Sequence, residues 1–198
     1  MDMMTKFKHT LLLWVAGTLS FSLQAANPVP ADQPAQRPQP QALYPDAPPA
    51  ESNGLSPENI TVTPDVLGGA VEADYFIVQP DPDKATGQAV LICPGGGYGA
   101  TCYGYEGLGP AEWFRERGVF TLVLRYRMPN GHYNIPLADV RKAMQLLRTN
   151  ANEWHIDPNK IGIMGFSAGG HLAASASTLL DAEDRPNFTI LFYPVLSM

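Results

Sequence analysis

Apolar residues fall along the chain in two recurrent patterns. The first is the continuous run: "AVLIC" at Ala89–Cys93, "VFTLVL" at Val119–Leu124, "IGIM" at Ile161–Met164 and "FTILF" at Phe188–Phe192, each soon followed by Gly, Pro or Arg. The first two predict strands buried on both faces, and the last two predict one strand each, the final one left as an exposed edge. Two earlier pieces, "ITVTPD" at Ile60–Asp65 and "ADYFIVQPD" at Ala73–Asp81, are β-rich and end in Pro and Asp, which predicts short leading strands. The second pattern is the helical stripe. "LADVRKAMQLLRTNANEW", starting at Leu137, places Val140, Met144, Leu147 and Ala151 on one face. "GPAEWFRERG" at Gly109–Gly118 has Pro near its start and Gly at its end, the usual asymmetry of a short helix. "AGGHLAASASTLL" at Ala168–Leu180 reads as a third helix. Strands alternating with helices predict an α/β domain over residues 55–198, with a doubly wound, mostly parallel sheet and right-handed crossovers.

The start of the chain breaks both patterns. Lys6 and Lys8 precede "LLLWVAGTLSFSL" at Leu11–Leu23, and small residues follow in "LQAAN". This reads as a secretory signal peptide over residues 1–25, cleaved after Ala25. A membrane anchor is the alternative, disfavoured because the apolar run is short and a polar Pro-rich stretch follows it. The expectation is a secreted or periplasmic protein without stable membrane insertion after cleavage. Residues 26–54, with "NPVPADQPAQRPQPQALYPDAPPAESNG", are rich in Pro, Ala and Gln and read as an extended spacer.

Charge narrows the function classes. The chain has 13 Lys and Arg against 19 Asp and Glu, a net charge of -6, which argues against a nucleic-acid partner. An oxidising compartment would permit Cys93 and Cys102 to pair. Two cysteines are too few for a disulfide scaffold, and Cys93 ends a buried strand, so both are expected to remain free. The four His and two Cys have no metal-ligand spacing, and neither a metal nor a cofactor is expected.

Two strand-terminal loops carry candidate chemistry. "GFSAGG" at Gly165–Gly170 is a Gly-x-Ser-x-Gly pattern between a predicted strand and a predicted helix. A serine on such a strained turn is lifted toward solvent at a helix N-terminus, where partial positive charge favours a developing anion. Ser167 is therefore the candidate nucleophile. "CPGGGYGATCYGYEG" at Cys93–Gly107 places three glycines after a buried strand. Three are more than a turn needs, and they let backbone N–H groups converge on an anion. A phosphate cradle would need a Lys-Ser/Thr ending or a full Gly-x-Gly-x-x-Gly, and neither is present. An oxyanion hole fits better, with donors Gly96 and Gly97 from this loop and Ala168 after the nucleophile. Tyr98, Tyr103 and Tyr105 either line a sugar or acyl site or pack the loop, and the sequence leaves both open.

These motifs carry a resemblance. "PGGGY" at Pro94–Tyr98, "LRYRM" at Leu124–Met128, "PLADVRKAMQLLR" at Pro136–Arg148 and "DPNKIGIMGFSAGGHLAA" at Asp157–Ala174 together resemble the secreted bacterial acetylesterase/lipase-like α/β-hydrolases. The branch most resembled is the acetylxylan and feruloyl-esterase-type carbohydrate esterases. The resemblance runs from about residue 60 onward and is more specific for the superfamily than for substrate. It implies Ser167 as nucleophile, Gly96, Gly97 and Ala168 as oxyanion donors, and hydrolysis of a small-molecule or carbohydrate ester through an acyl-enzyme. Short-chain, acetyl-type esters are the expected class. A non-catalytic binding protein that keeps the fold, or a serine peptidase on the same fold, are the alternatives.

The other half of the triad is harder to find. The superfamily order is Ser, then Asp or Glu, then His. The only His after Ser167 is His171, one helical turn on, where it reads as a packing residue and not as the base. Asp181, Glu183 and Asp184 lie in a loop expected at the opposite edge of the sheet, as does His155. His132 follows a strand at its carboxyl end, but the superfamily places no base there. The expectation is an N-terminal portion of a longer enzyme, its sheet cut off after the strand that follows the nucleophile helix. The acid and His would lie beyond Met198, in a further segment of roughly 80 to 100 residues. On that reading the chain by itself is nearly inactive.

Overall fold

The structure is a computed structural model that describes residues 37–196; the predicted signal peptide and the first part of the spacer lie outside the described residues. Among the described residues there are nine strands: β1 (Gln41–Ala42), β2 (Thr61–Val62), β3 (Leu67–Gly68), β4 (Asp74–Val78), β5 (Ala89–Cys93), β6 (Ala100–Thr101), β7 (Phe120–Arg125), β8 (Ile161–Phe166) and β9 (Phe188–Phe192). Three α-helices join them: α1 (Gly109–Arg115), α2 (Asn134–Thr149) and α3 (Ser167–Leu179).

The six-stranded main sheet has the order β1-β4-β7-β5-β8-β9. Strands β7, β5, β8 and β9 are parallel, while β1 and β4 run antiparallel to their neighbours. The order reverses at β5, which follows β4 in the chain but sits between β7 and β8. That switch point places the loops after β5 and β8 side by side at the carboxyl edge. A small sheet, β2-β3-β6, lies beside it.

The apolar runs became strands for the predicted reason. Every residue of β5, β7 and β8 is buried, including the polar Thr121 and Arg125. Helix α2 covers them with Val140, Ala143, Met144 and Leu147, all fully buried. It begins at Asn134, three residues before the predicted stripe, because the turn at His132 already bonds Ile135 N–H to the His132 carbonyl. Helix α1 ends where Gly118 adopts φ 76°, and a Cβ there would meet the Lys84 carbonyl at 1.9 Å.

The spacer boundary differs from expectation. Within the predicted linker, β1 pairs with β4, Leu43 is buried, and the Leu43 N–H bonds the Ala73 carbonyl at 3.0 Å. Asn53 is buried too, donating from Nδ2 to the Ala70 and Met128 carbonyls at 2.8 and 3.0 Å. A single leucine and a single asparagine among prolines carry no periodic signal, yet each satisfies a long-range site. Residues 41–54 thus belong to the packed domain.

That strap is fastened by a buried ion pair. Arg127 Nη2 lies 2.6 Å from Asp139 Oδ1, and both side chains are almost fully excluded from solvent. Arg127 also donates to the Glu51 carbonyl at 2.6 Å, and Tyr44 Oη donates to Asp139 Oδ1 at 2.8 Å. Burial pushes the Asp139 carboxyl up, against the opposing pull of its Arg127 and Tyr44 hydrogen bonds. The pair is the β7-end link between the strap and α2.

Strand β9 bonds β8 along one side. Among the described residues nothing pairs its other side, and Phe188, Leu191 and Phe192 are each about two-fifths exposed.

Candidate active site

The Gly-x-Ser-x-Gly turn sits where the sequence placed it, between β8 and α3. Phe166 is extended, at φ -117° and ψ 136°, and the next residue, Ser167, stands at φ 49°. A left-handed serine is uncommon and strained, and it aims the side chain away from both strand and helix. The flanking glycines permit it by close approach. A Cβ on Gly165 would lie 2.1 Å from the Gly169 carbonyl oxygen, and one on Gly169 would lie 2.1 Å from the Cys93 carbonyl oxygen. Ser167 is half-buried, and its hydroxyl has no protein hydrogen-bond partner among the described residues.

The three-glycine loop wraps against this turn. A Cβ on Gly95 would come within 3.0 Å of Ser167 Cβ and 2.8 Å of the Phe166 carbonyl oxygen. Gly96 takes φ 141° and Gly97 φ 63°, backbone regions that side chains disfavour. The carbonyl of Gly96 accepts from Gly99 and Ala100 N–H, both at 3.1 Å, which curls the loop. The N–H groups of Gly96, Gly97 and Ala168 donate to no protein acceptor among the described residues. Ala168 lies in the first turn of α3, where amides lack intrahelical acceptors. The three predicted donors thus lack a protein acceptor, and Gly95, the residue before the two loop donors, is the one packed against Ser167.

The predicted tyrosines part company. Tyr98 is half-buried, bonds His171 Nδ1 at 2.9 Å, and lies edge-on to Tyr126. Burial raises its phenol well above the ordinary value, so the hydroxyl stays protonated. Tyr105 is largely exposed. Tyr103 is a correction: it is buried, stacked on Phe76 at 5.3 Å, and its hydroxyl donates to the Thr63 carbonyl at 2.8 Å. A core tyrosine cannot line a substrate site. Tyr103 caps the π-helical turn Gly104–Leu108, and composition alone did not show that this turn separates it from Tyr105.

No imidazole reaches Ser167 among the described residues. His171 is engaged by Tyr98, while His132 and His155 are exposed on loops. Asp181 and Asp184 pair with Arg141 below α3. Cys93 and Cys102 are both free. No group of three His, Cys, Asp or Glu that could hold a metal occurs among the described residues. No described helix is long and apolar enough to cross a membrane.

One residue at the site escaped the sequence reading. Glu106 lies in a single π-helical turn, Gly104–Leu108, and its Oε2 accepts the Gly95 N–H at 2.6 Å. Its Oε1 accepts the Tyr193 hydroxyl at 2.7 Å. An acidic residue directly before Gly107 in a glycine-rich stretch was the only available signal.

A family model described as BD-FAE matches residues 76–189. The chain is 45% identical over 117 residues to an acetylxylan esterase of Xylanibacter ruminicola, a match covering 59% of this chain and 24% of that protein. It is 35% identical over 130 residues to endo-1,4-beta-xylanase B of Butyrivibrio fibrisolvens, covering 58% of this chain and 20% of that one. Among solved structures, the butyrate-bound esterase Est2 of Thermogutta terrifontis aligns with TM-score 0.57 and 29% identity, over 64% of this chain and 50% of that chain. The α/β-hydrolase MGS-M1 from a Medee basin deep-sea metagenome library aligns with TM-score 0.55 and 32% identity, over 70% and 58%. The chain thus spans a quarter or less of these two curated relatives and little more than half of these two solved structures. With more than half of its residues matched by the one family model, the chain belongs to the BD-FAE family, and its fold is that of the α/β-hydrolase esterases.

Proposed function

We propose that the protein is a carboxylic ester hydrolase that works through an acyl-enzyme on Ser167. The observation that carries this is the pairing of a left-handed Ser167 with three free amides, Gly96, Gly97 and Ala168, on the two loops that meet at the switch point. Attack of the serine oxygen on an ester carbonyl forms a carbon–oxygen bond and places negative charge on the carbonyl oxygen. Preorganised N–H donors stabilise that charge more than they stabilise the ground state. Collapse expels the alcohol with a proton and leaves the acyl group on Ser167, and water then releases the acid. The helix N-terminus under Ala168 adds partial positive charge.

Proton transfer is the step that the described residues do not supply. Without an imidazole on the serine, the hydroxyl is a weak nucleophile, so the 198-residue chain turns over slowly. Residual rate rests on the oxyanion hole, which in triad-less serine hydrolases still gives about 10³-fold over water.

The acetylxylan esterase relative supports acetyl-type esters on carbohydrate as the substrate class, and the signal-like start of the sequence supports an extracytoplasmic location. Tyr98 and Tyr105 are the candidate aromatic surfaces for a sugar ring. A serine peptidase or a non-catalytic binding protein has no observation in its favour. The test is hydrolysis of 4-nitrophenyl acetate by the chain and by Ser167→Ala. A slow rate above buffer that disappears in Ser167→Ala supports the reading. Equal rates for the two proteins overturn it.

A further inference from the structure

Glu106 joins two of the segments that build the site, the loop after β5 and the segment after β9. Its Oε2 accepts from Gly95 N–H at 2.6 Å, and the Gly95 carbonyl is held in turn by Cys102 N–H at 2.8 Å. The peptide immediately before the two proposed loop donors is therefore fixed on both sides. From there the chain enters the unusual conformations of Gly96 and Gly97, so the direction of their N–H groups follows from where Gly95 is pinned. The other oxygen, Oε1, accepts from Tyr193 Oη at 2.7 Å. Tyr193 directly follows β9 at φ 36°, and two residues later Val195 N–H bonds the Ser167 carbonyl at 3.3 Å. One carboxylate thus ties the loop after β5 to the segment after β9, across the nucleophile. The π-helical turn that presents it is a rare conformation found mostly at functional sites.

The same carboxylate is close to the reacting atoms. A methyl group built on Gly95 would lie 2.7 Å from Glu106 Oε2 and 3.0 Å from Ser167 Cβ. No cation pairs with Glu106 among the described ion pairs. An uncompensated negative charge at that range repels a second negative charge in the acyl group.

We propose that Glu106 is a positioning and specificity residue: it holds the oxyanion loop in its donor-out shape, and its charge restricts the site to esters with uncharged acyl groups. The inference rests on the ester-hydrolase reading above. Its two halves separate chemically. Glu106→Gln keeps an oxygen for Gly95 and an NH₂ for the Tyr193 hydroxyl, but removes the charge. Glu106→Ala removes both.

The test uses the full chain with each substitution and two readouts. The first is hydrogen exchange at Gly95 N–H. The second is hydrolysis of 4-nitrophenyl valerate and of the anionic, size-matched 4-nitrophenyl hydrogen glutarate, each above its own buffer rate. Glu106→Ala is expected to speed Gly95 exchange, and to lower kcat for valerate about tenfold or more with KM nearly unchanged. Glu106→Gln is expected to rescue both, and to raise the glutarate-to-valerate ratio of kcat/KM about tenfold. Unchanged Gly95 exchange in Glu106→Ala overturns the positioning role. An unchanged ratio in Glu106→Gln overturns the specificity role. If neither ester is hydrolysed above buffer while Gly95 exchange still responds, the ester reading fails and the positioning role stands.

Discussion

Tyr98 Oη and His171 Nδ1 share a hydrogen bond of 2.9 Å, which joins the three-glycine loop to helix α3 one turn beyond Ser167. His171 is thereby turned toward the loop and is occupied by a phenol. The imidazole nearest Ser167 in sequence is a fastening, and its position explains why it does not answer the need for a base.

His171→Ala should therefore leave the acylation of Ser167 detectable while lowering stability by about 1 kcal/mol, as loss of one part-buried hydrogen bond does. Urea unfolding of His171→Ala and Tyr98→Phe, and of the double variant, checks this. The two single losses should be strongly non-additive, because either one breaks the same bond. If His171→Ala matched Ser167→Ala in abolishing acylation, His171 would be the base after all.

Asp139→Ala should be far more damaging than any surface substitution. It leaves the Arg127 guanidinium buried without its carboxylate, and Arg127 is only 1% exposed. The expected loss is about 3–5 kcal/mol in equilibrium unfolding. Tyr44→Phe, which removes one hydrogen bond to the same carboxylate, should cost about 1 kcal/mol.

Gly169→Ala should perturb the elbow through backbone contact alone. The added methyl would meet the Cys93 carbonyl at 2.1 Å and the Pro94 carbonyl at 2.5 Å, and neither is the end of a flexible side chain. Overpacking of this kind costs about 1–3 kcal/mol or more. A fall in melting temperature is expected, together with loss of Ser167 acylation.

The two cysteines should differ in reactivity. Burial pushes the Cys93 thiol well above its ordinary value, and Cys102, only half-buried, is raised by partial burial and by Glu106. A raised thiol value means less thiolate at a given pH, so both react slowly near pH 8 and Cys93 not at all in the folded state. Iodoacetamide at pH 8 followed by peptide mapping should label Cys102 alone. Labelling should rise with pH. An intact Cys93–Cys102 disulfide would contradict the structure.

Much of the fold was legible because its signals are local. Ala89–Cys93, Phe120–Arg125 and Ile161–Phe166 are apolar runs that only a doubly covered strand accommodates. The turn at Ser167 was legible because it needs glycines at fixed offsets on either side. What the sequence hid depends on distant partners. Leu43 and Asn53 dock on Ala73, Ala70 and Met128, and nothing in a Pro-rich stretch announces those contacts. Tyr103 and Tyr105 look alike in sequence, yet one is in the core and the other in solvent, because the intervening π-helical turn sets which way each points. Glu106 is invisible for the same reason: its importance comes from Gly95 and Tyr193, which lie 11 and 87 residues away.

Mass spectrometry of the protein after brief exposure to 4-nitrophenyl acetate tests the central claim most directly. With no described imidazole to drive deacylation, an acyl group formed on the serine should persist long enough to be mapped. The account predicts one acetyl group on the peptide that holds Ser167, absent from Ser167→Ala and reduced when Gly96 is replaced by a bulkier residue. Acetylation confined to lysines or to Tyr98, and unchanged in Ser167→Ala, would contradict it.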